Sequence, residues 1–325
     1  MRAVTIPEFG GPEVLTIAEL PAPKPQAGEV LIDVEAAGIN RADLVQRTGH
    51  YPPPPGAPQW PGLECSGTIT ALGEGVTGWQ IGQRVMALLA GGGYAEQVAV
   101  PAGQIMPIPD NLDFVQAAAI PEALATAWAN LKIAGGLKAG DDVLIVGGSG
   151  GVGSLAIQLA NSLGARVITT AGGPDRAERC RELGAALAID YRSQNIVEEV
   201  DKFTNGRGVD VILDVLGAAA LNDNIEMLAT DGILVIIGLQ KGVKGEIHLG
   251  KLLSKRARVT GTTLRSRSVS EKTAIIAEAS ACALPWYESG KLKPIVHAEY
   301  PLDEAAQAHR DLDSGQVFGK LILRP

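Results

Sequence analysis

Three glycines at a characteristic spacing follow a short apolar segment near the middle of the chain. Asp142–Val146 is rich in branched apolar residues, and Gly148, Gly150 and Gly153 follow it as G-x-G-x-x-G. Glycines at this spacing permit a tight turn, a close approach of backbone N–H groups to a pyrophosphate, and close packing of a helix on a strand. The helix predicted for Gly151–Leu163 would place its N-terminus at the phosphates. The pattern predicts a dinucleotide site formed by Gly148, Ser149, Gly150, Gly151, Val152 and Gly153.

The end of the next predicted strand indicates which nicotinamide dinucleotide binds. An NAD site usually has Asp or Glu about 20 residues after the glycines, on the ribose 2′-hydroxyl. Here the strand Arg166–Thr170 ends in Ala-Gly-Gly, without an acid. Arg176 follows within the next helix, where it would meet a 2′-phosphate, and Tyr191 follows the third strand. These residues, with Gly172, predict that the cofactor is NADPH.

Ligands for a catalytic zinc ion are missing from the first part of the chain. The first 110 residues contain only His50 and Cys65, and these are not at ligand spacing. A catalytic zinc normally has three protein ligands. His248, His297 and His309 are scattered along the rest of the sequence. We therefore expect a mechanism without a metal ion.

The elements that carry these residues fall into two groups. Residues up to about 110 predict short strands and turns, typical of a small β-barrel or sandwich. From residue 142, short apolar strands alternate with helices, which predicts a parallel sheet covered on both faces. The pattern after residue 262 ends in a strand at Lys320–Leu323, which we expect to return to the first group. Tyr51 begins a proline-rich segment that must be an extended loop.

Composition restricts the class of protein further. The chain has 325 residues, of which 46% are hydrophobic and 20% charged, enough for two cores. A net charge of −8 without a basic stretch argues against nucleic acid or an anionic membrane as partner. Three separated cysteines are not a disulfide framework, and no signal peptide or spanning segment is recognised. We expect a cytoplasmic protein with a small-molecule substrate.

Four segments carry a resemblance to a known family: residues 37–43, 61–67, 121–123 and 140–158. Through them the whole chain resembles the zinc-free quinone oxidoreductases, the zeta-crystallin-like group of the medium-chain dehydrogenase/reductase superfamily. Residues 264–268, Leu-Arg-Ser-Arg-Ser, are similar to the subgroup whose animal members are induced by a tumour suppressor. Zinc-dependent relatives have a ligand cysteine where Asn40 stands and a histidine where Leu63 stands.

The resemblance implies an α/β protein with two domains. A GroES-like catalytic domain would comprise residues 1–122 and 263–325, and a Rossmann domain, a doubly wound parallel sheet, would comprise residues 123–262. The active site would lie in the cleft between them, and two copies would join their sheets in a homodimer. Tyr51 and Asn40 match residues of the family's active site, and Thr126 matches a residue beside the nicotinamide ribose. Further cofactor candidates are Gly238, Phe318 and Lys320.

The expected reaction is hydride transfer from NADPH to a quinone. Tyr51, Asn40 and Arg265 are candidate donors to the substrate oxygen on which negative charge develops. Tyr51 is equally able to form a wall of the substrate site, and Trp60 to stack on a ring or to pack. Two alternatives stay open: reduction of an activated C=C bond in an enone or enoyl thioester, and a non-catalytic NADPH-binding protein. A methyltransferase is disfavoured, because it would need an acid after the second strand.

Overall fold

The computed structural model describes residues 1–325, which form two compact units. Unit 1 comprises Met1–Ala125 and Leu264–Pro325, and unit 2 comprises Thr126–Thr263. The sequence therefore leaves unit 1 once and returns to it.

Unit 2 contains six strands and five helices. The strands are β8 (Asp142–Ile145), β9 (Arg166–Ala171), β10 (Leu187–Asp190), β11 (Val209–Asp214), β12 (Leu228–Ile236) and β13 (Arg258–Gly261). The helices are α4 (Gly151–Ser162), α5 (Pro174–Glu182), α6 (Ile196–Thr204), α7 (Leu221–Met227) and α8 (Leu249–Ser254). A π-helix, Trp128–Ala134, precedes them.

The six strands form one sheet in the order β10-β9-β8-β11-β12-β13, and every pairing is parallel. Leu144 of β8 is paired with Ile168 on one side and with Ile212 on the other. The chain first adds strands on one side of β8 and then on the other. Because such crossovers are right-handed, this reversal puts helices on both faces of the sheet. Unit 2 is a Rossmann fold, and the predicted parallel sheet is confirmed.

Four charged side chains hold the starts of three strands of unit 2 together. The Asp142 carboxylate accepts from Arg166 at 2.5 and 2.7 Å and from Arg207 at 2.6 Å. Asp210 accepts from Arg207 and from the backbone N–H of Asp142. Burial raises the pKa of Asp142, but the hydrogen bonds from the two arginines outweigh it and leave that pKa below its usual range. The amino ends of β8, β9 and β11 are thereby aligned, so that their carboxyl ends meet at the opposite edge.

Unit 1 is rich in β-structure. Its strands are β1 (Arg2–Thr5), β2 (Thr16–Glu19), β3 (Glu29–Gly38), β4 (Glu64–Leu72), β5 (Arg84–Leu88), β6 (Gln97–Pro101), β7 (Ile105–Pro107), β14 (Val296–Pro301) and β15 (Lys320–Arg324). Its helices are α1 (Arg41–Arg47), α2 (Phe114–Ala118), α3 (Pro121–Ala127, which ends in unit 2), α9 (Val269–Glu288) and α10 (Ala305–Asp313).

Strand β3 organises unit 1. One edge pairs with β4, while the other pairs first with β6 and then, through Ala37 and Gly38, with β15. The backbone N–H of Ile39 extends this pairing to Leu321 at 2.9 Å. The end of the chain is thus fixed beside residues 37–40. A core of mainly branched apolar residues from β3 to β6, β15 and α10 packs beneath the sheet.

Helix lengths and hydropathy bear on membrane insertion. No helix in the structure combines the length and the apolar character that crossing a bilayer requires.

Candidate functional site

The predicted phosphate-binding turn lies between β8 and α4 in unit 2. The backbone N–H of Gly148 donates to Thr170 O at 2.9 Å, and that of Gly147 donates to the Thr170 hydroxyl at 3.0 Å. These bonds fix the turn against the neighbouring strand β9. The turn stands where β9 and β11 flank β8, which is the point at which the strand order reverses. Doubly wound sheets bind their ligands at this point.

The three motif glycines differ in the space that the structure leaves around them. A Cβ on Gly148 would lie 2.2 Å from the Thr169 hydroxyl oxygen, and one on Gly153 would lie 2.1 Å from Gly147 O. A Cβ on Gly150 would meet no neighbour closer than 3.6 Å. The structure itself thus demands glycine at 148 and 153 but leaves open space at 150. That space lies at the N-terminus of α4, whose first N–H groups have no intrahelical partners, and it fits a phosphate group.

The tip of β9 carries polar groups of the kind that bind a second phosphate. A Cβ on Gly172 would lie 2.5 Å from the Tyr191 hydroxyl and 3.3 Å from Arg192 Nε, so both side chains lie against this glycine. Asp190 accepts from the backbone N–H groups of Gly173 at 2.7 Å and Arg192 at 3.0 Å. The hydrogen bond from Gly173 lowers the pKa of Asp190 most, followed by that from Arg192. Asp190 therefore fixes the loop.

Arg192 is a candidate that the sequence reading missed. It is exposed and follows Tyr191 directly, so its position in the sequence was the available signal. Arg176, the predicted cation, is half-buried on α5.

The other cofactor candidates of unit 2 are Thr126 and Gly238. Thr126 is half-buried, and its carbonyl oxygen accepts from Asn130 Nδ2 at 2.7 Å. Asn130 Oδ1 in turn accepts from the Thr262 hydroxyl just after β13. Gly238 follows β12, and a Cβ on it would lie 2.8 Å from Val215 O. The structure therefore gives Thr126 and Gly238 defined backbone positions.

In unit 1, Tyr51 and Arg265 lie together. Arg265 donates from Nη1 to Tyr51 O at 3.0 Å and from Nε to Ala90 O at 2.7 Å. Its guanidinium carbon lies 5.2 Å from the centre of the Tyr51 ring, within cation–π range. Arg265 is 4% exposed, and its Nη2 has no hydrogen-bond partner in the protein. Arg265 thus holds the start of the proline-rich loop and keeps one donor unused.

The Tyr51 hydroxyl has the properties of a neutral donor. Burial raises the pKa of Tyr51, as do the charges of Glu122 and Asp43, while Arg265 lowers it; the net direction is upward. No hydrogen bond to another protein group engages the hydroxyl, whereas Trp60, on the same loop, donates its indole N–H to Gly92 O at 3.1 Å. Tyr51 can therefore hold a proton for a bound ligand, and Trp60 is tied to its own unit.

Asn40 belongs to a buried polar cluster with Glu64 and Lys320. Lys320 Nζ donates to Asn40 Oδ1 at 2.7 Å and also to Glu64 Oε1. Asn40 Nδ2 donates to the same Glu64 oxygen at 2.8 Å, and the backbone N–H of Glu122 donates to Glu64 Oε2 at 2.9 Å. Because lysine only donates and a carboxylate only accepts, the Asn40 amide has one possible orientation. Its second N–H has only a 3.5 Å contact with Gly38 O.

Two further observations concern the C-terminal candidates. Lys320 is 4% exposed and contacts Glu64 and Asn40, so a contact with a cofactor stays a prediction. Phe318 is 2% exposed, and its backbone N–H lies 3.5 Å from His297 Nδ1.

The sequence reading did not identify Glu64 as a site residue, although an acid within the motif Pro-Gly-Leu-Glu was a signal.

Possible metal-ligating side chains are dispersed. No three His, Cys, Asp or Glu side chains among the 325 residues come together as a group that could hold a metal ion. Cys65 is fully buried, and burial raises the pKa of its thiol. His50 is exposed and contacts Thr48.

The Rossmann sheet with a glycine turn at its switch point defines the class as dinucleotide-binding proteins. Comparisons with known proteins identify a family within this class. The chain matches the family model "Alcohol dehydrogenase GroES-like domain" over residues 26–110 and the model "Zinc-binding dehydrogenase" over residues 151–279. The first match lies within unit 1 and confirms the expected GroES-like fold.

Full-length relatives were found among curated proteins and solved structures. The chain is 34% identical to the quinone oxidoreductase of Rattus norvegicus over 326 residues, covering 99% of this chain and 97% of the relative. The structure of Escherichia coli quinone oxidoreductase complexed with NADPH is 31% identical with a TM-score of 0.90, covering 100% of both chains. The structure of CurK enoyl reductase is 28% identical with a TM-score of 0.87, covering 99% of this chain and 98% of that one.

The chain therefore belongs to the quinone oxidoreductase family of the medium-chain dehydrogenase/reductase superfamily.

The contrast between Gly153 and Gly150 gives a direct test of the turn. Gly153→Ala should destabilise the protein by about 1–3 kcal/mol, because the new methyl group would overlap a backbone oxygen that cannot move freely. Gly150→Ala is the matched control: its φ of −77° suits alanine, so stability should change by less than about 1 kcal/mol. Urea unfolding of both variants measures the difference. Equal destabilisation by the two substitutions would contradict this account.

Proposed function

We propose that the protein is an NADPH-dependent quinone oxidoreductase that works without a metal ion. Unit 2 binds the cofactor, and unit 1 supplies the polar groups for the substrate. The observation that carries the proposal is the buried Arg265 Nη2, which has no hydrogen-bond partner in the protein, beside the ring of Tyr51, whose raised pKa keeps the phenol neutral. The full-length relatives named quinone oxidoreductase support the same substrate class.

The cofactor fits the groups that unit 2 presents. The open space at Gly150, in front of the α4 N-terminus, suits the pyrophosphate. Tyr191, Arg192 and Arg176 suit the 2′-phosphate, because guanidinium groups pair with phosphate oxygens. Thr126 and Gly238 would contact the nicotinamide half. Cofactor contacts of Phe318 and Lys320 stay predictions from the sequence, since both side chains are buried in unit 1. NADPH, when bound, supplies a hydride.

The residues of unit 1 would bind and orient the quinone. Tyr51 donates a hydrogen bond from its hydroxyl to a quinone oxygen and holds the proton there, because its raised pKa keeps it neutral at physiological pH. Arg265 Nη2 and the second N–H of Asn40 are the further donors toward developing negative charge. A quinone needs little stabilisation of this kind, because its product anion is delocalised. Positioning is then the main contribution of the protein.

The metal-free proposal has its own support. Asn40 and Leu63 stand where zinc-dependent relatives have ligands, and Lys320 supplies the positive charge next to Glu64.

A cytoplasmic location is proposed as well, supported by three free cysteines of which Cys65 and Cys180 are buried.

A second candidate is NADPH-dependent reduction of an activated C=C bond. The similarity to CurK enoyl reductase favours it, and the same Tyr51 hydroxyl would then protonate an enolate carbon.

One assay separates these functions. We expect NADPH absorbance to fall with ortho- or para-quinones as acceptors, at a rate that a chelator does not change. Faster turnover of a simple enone would move the function to alkene reduction, and a loss of rate with chelator would contradict the metal-free proposal. Tight NADPH binding without turnover of any acceptor would leave a non-catalytic NADPH-binding protein.

Arginine substitutions test the 2′-phosphate site. Arg192→Gln and Arg176→Gln should each raise the KM for NADPH about tenfold, which corresponds to ~1.4 kcal/mol, and leave the KM for NADH unchanged. Arg179→Gln is the control, because Arg179 is an exposed arginine on the same helix as Arg176. Steady-state kinetics with both dinucleotides measures the effect. An equal rise in the KM for NADPH and for NADH would show that neither arginine binds the 2′-phosphate.

We also propose a homodimer that forms through strand β13. This strand is at the edge of its sheet, so one row of its backbone groups is unpaired. The neighbouring segment, residues 239–253, exposes five large apolar side chains: Leu239, Val243, Ile247, Leu249 and Leu253. Several exposed apolar side chains within one short segment, and an unpaired sheet edge in the same unit, are both features of an interface.

Introducing a charged residue into residues 239–253 should dissociate the proposed dimer. Leu253, which is 76% exposed, is the best site, and Leu253→Asp should convert a dimer into a monomer in sedimentation velocity. Ile81→Asp is the matched control, since Ile81 is 67% exposed in unit 1 and should leave the dimer intact. A wild-type protein that sediments as a monomer at micromolar concentration would refute the dimer.

A further inference from the structure

A chain of buried polar side chains runs through unit 1 behind Asn40. It consists of Asp43, Tyr94, His309 and Arg47, none of which is more than 3% exposed. Asp43 and Arg47 lie on α1, Tyr94 precedes β6, and His309 lies on α10. Burying such groups is costly unless each finds a partner. None of them takes part in the proposed chemistry, so the chain needs an explanation of its own.

Arg47 sets the direction of the hydrogen bonds. Its Nη1 lies 3.3 Å from His309 Nδ1, and because a guanidinium only donates, Nδ1 must accept and the ring proton must be on Nε2. His309 Nε2 lies 3.2 Å from the Tyr94 hydroxyl oxygen and donates to it. Tyr94 then gives its single proton to Asp43 Oδ2 at 3.1 Å. Burial, with a smaller contribution from Arg47, lowers the pKa of His309 to about 3, so the ring is neutral as this order requires.

The Asp43 carboxylate is the end of the chain and binds two backbone segments. Oδ2 accepts from the backbone N–H of Asn40 at 2.8 Å, and Oδ1 accepts from that of Gly62 at 3.1 Å. Asn40 carries the amide proposed to face the substrate. Gly62 lies two residues before Glu64, whose carboxylate holds that amide. Asp43 therefore connects both segments on which the orientation of the Asn40 amide depends.

We propose that Asp43 is a positioning residue: its ionised carboxylate, oriented by Arg47, His309 and Tyr94, fixes the Asn40 turn against Gly62 and so aims the Asn40 amide. The role in catalysis rests on the proposed function, whereas the mechanical link does not.

The charge state of Asp43 makes the link depend on pH. Burial raises the pKa of Asp43 to about 6, opposed by the hydrogen bonds from Asn40, Gly62 and Tyr94 and by the charge of Lys320. The titratable and charged groups that face Asp43 directly or through the chain are Tyr94, His309, Arg47 with its ion-pair partner Asp313, Glu64, Lys320, Tyr51 and Arg265. Protonation removes the negative charge that strengthens the hydrogen bonds from Asn40, Gly62 and Tyr94, so these bonds weaken and the link between the two segments loosens. Activity should therefore fall as the pH falls through about 6.

Tyr94→Phe tests the proposal. Loss of a hydrogen bond to the charged carboxylate should move the acid limb of kcat upward by roughly half to one pH unit, with the KM for NADPH unchanged. The backbone amides of Asn40 and Gly62 should exchange with deuterium about tenfold faster, measured by NMR. Tyr300→Phe is the matched control, because the Tyr300 hydroxyl donates to Asp311 on α10 at 2.5 Å without contacting Asp43. If Tyr94→Phe and Tyr300→Phe give the same acid limb of kcat and the same amide exchange rates, the proposal is overturned.

His309 provides a second pair of variants. In His309→Gln the amide can accept from Arg47 and donate to Tyr94, so the pH profile and amide exchange should stay close to wild type. A leucine at this position can neither accept a hydrogen bond from Arg47 nor donate one to Tyr94. His309→Leu should therefore behave like Tyr94→Phe. A glutamine variant that is as impaired as the leucine variant would contradict the assigned direction. If the wild-type protein reduced no acceptor at all, the proposed function would fail, while the exchange rates would still decide whether Asp43 links the two segments.

Discussion

The buried carboxylate of Glu64 is the constraint on which the arrangement of unit 1 depends. A fully buried negative charge is tolerated only when cations and N–H groups surround it. Lys320, Asn40 and the backbone of Glu122 provide these groups, and they come from β15, the turn after β3 and α3. Gly38 has no side chain that would occupy the space, since a Cβ there would lie 2.4 Å from Glu64 Oε1. The buried carboxylate of Glu64 thus connects the N-terminal and C-terminal segments of unit 1.

A second buried carboxylate, Asp43, also contacts Asn40. Glu64 holds the Asn40 side chain, and Asp43 holds its backbone N–H. The two acids have different sources of compensation, because Glu64 contacts an ammonium group directly and Asp43 has only neutral donors. Burial raises the pKa of Asp43, and the hydrogen bonds from its neutral donors offset only part of that effect. The position of Asn40 is therefore determined from both sides.

Unit 2 is organised by steric rather than electrostatic limits. The turn after β8 passes so close to β9 and to its own helix that Gly148 and Gly153 cannot carry a Cβ. Gly150 has room for one, so the space beside it is available to a ligand. Charges contribute at the opposite edge of the sheet, where Asp142 and its two arginines align the strands, and at the tip of β9, where Asp190 fixes the loop beside Arg192.

The sequence by itself determined the features whose parts are close together along the chain. The glycine turn, the alternation of strands and helices, and the acid-free end of β9 are local patterns, and a parallel sheet follows from them. Arg192 was equally local and could have been found beside Tyr191. Lys320 was recognised as a candidate, but its partner Glu64 is 256 residues away. The Arg47–His309 contact spans 262 residues. Only the tertiary structure decided these pairings, because a buried charge selects its partner by proximity in the folded core, which spacing along the chain does not encode.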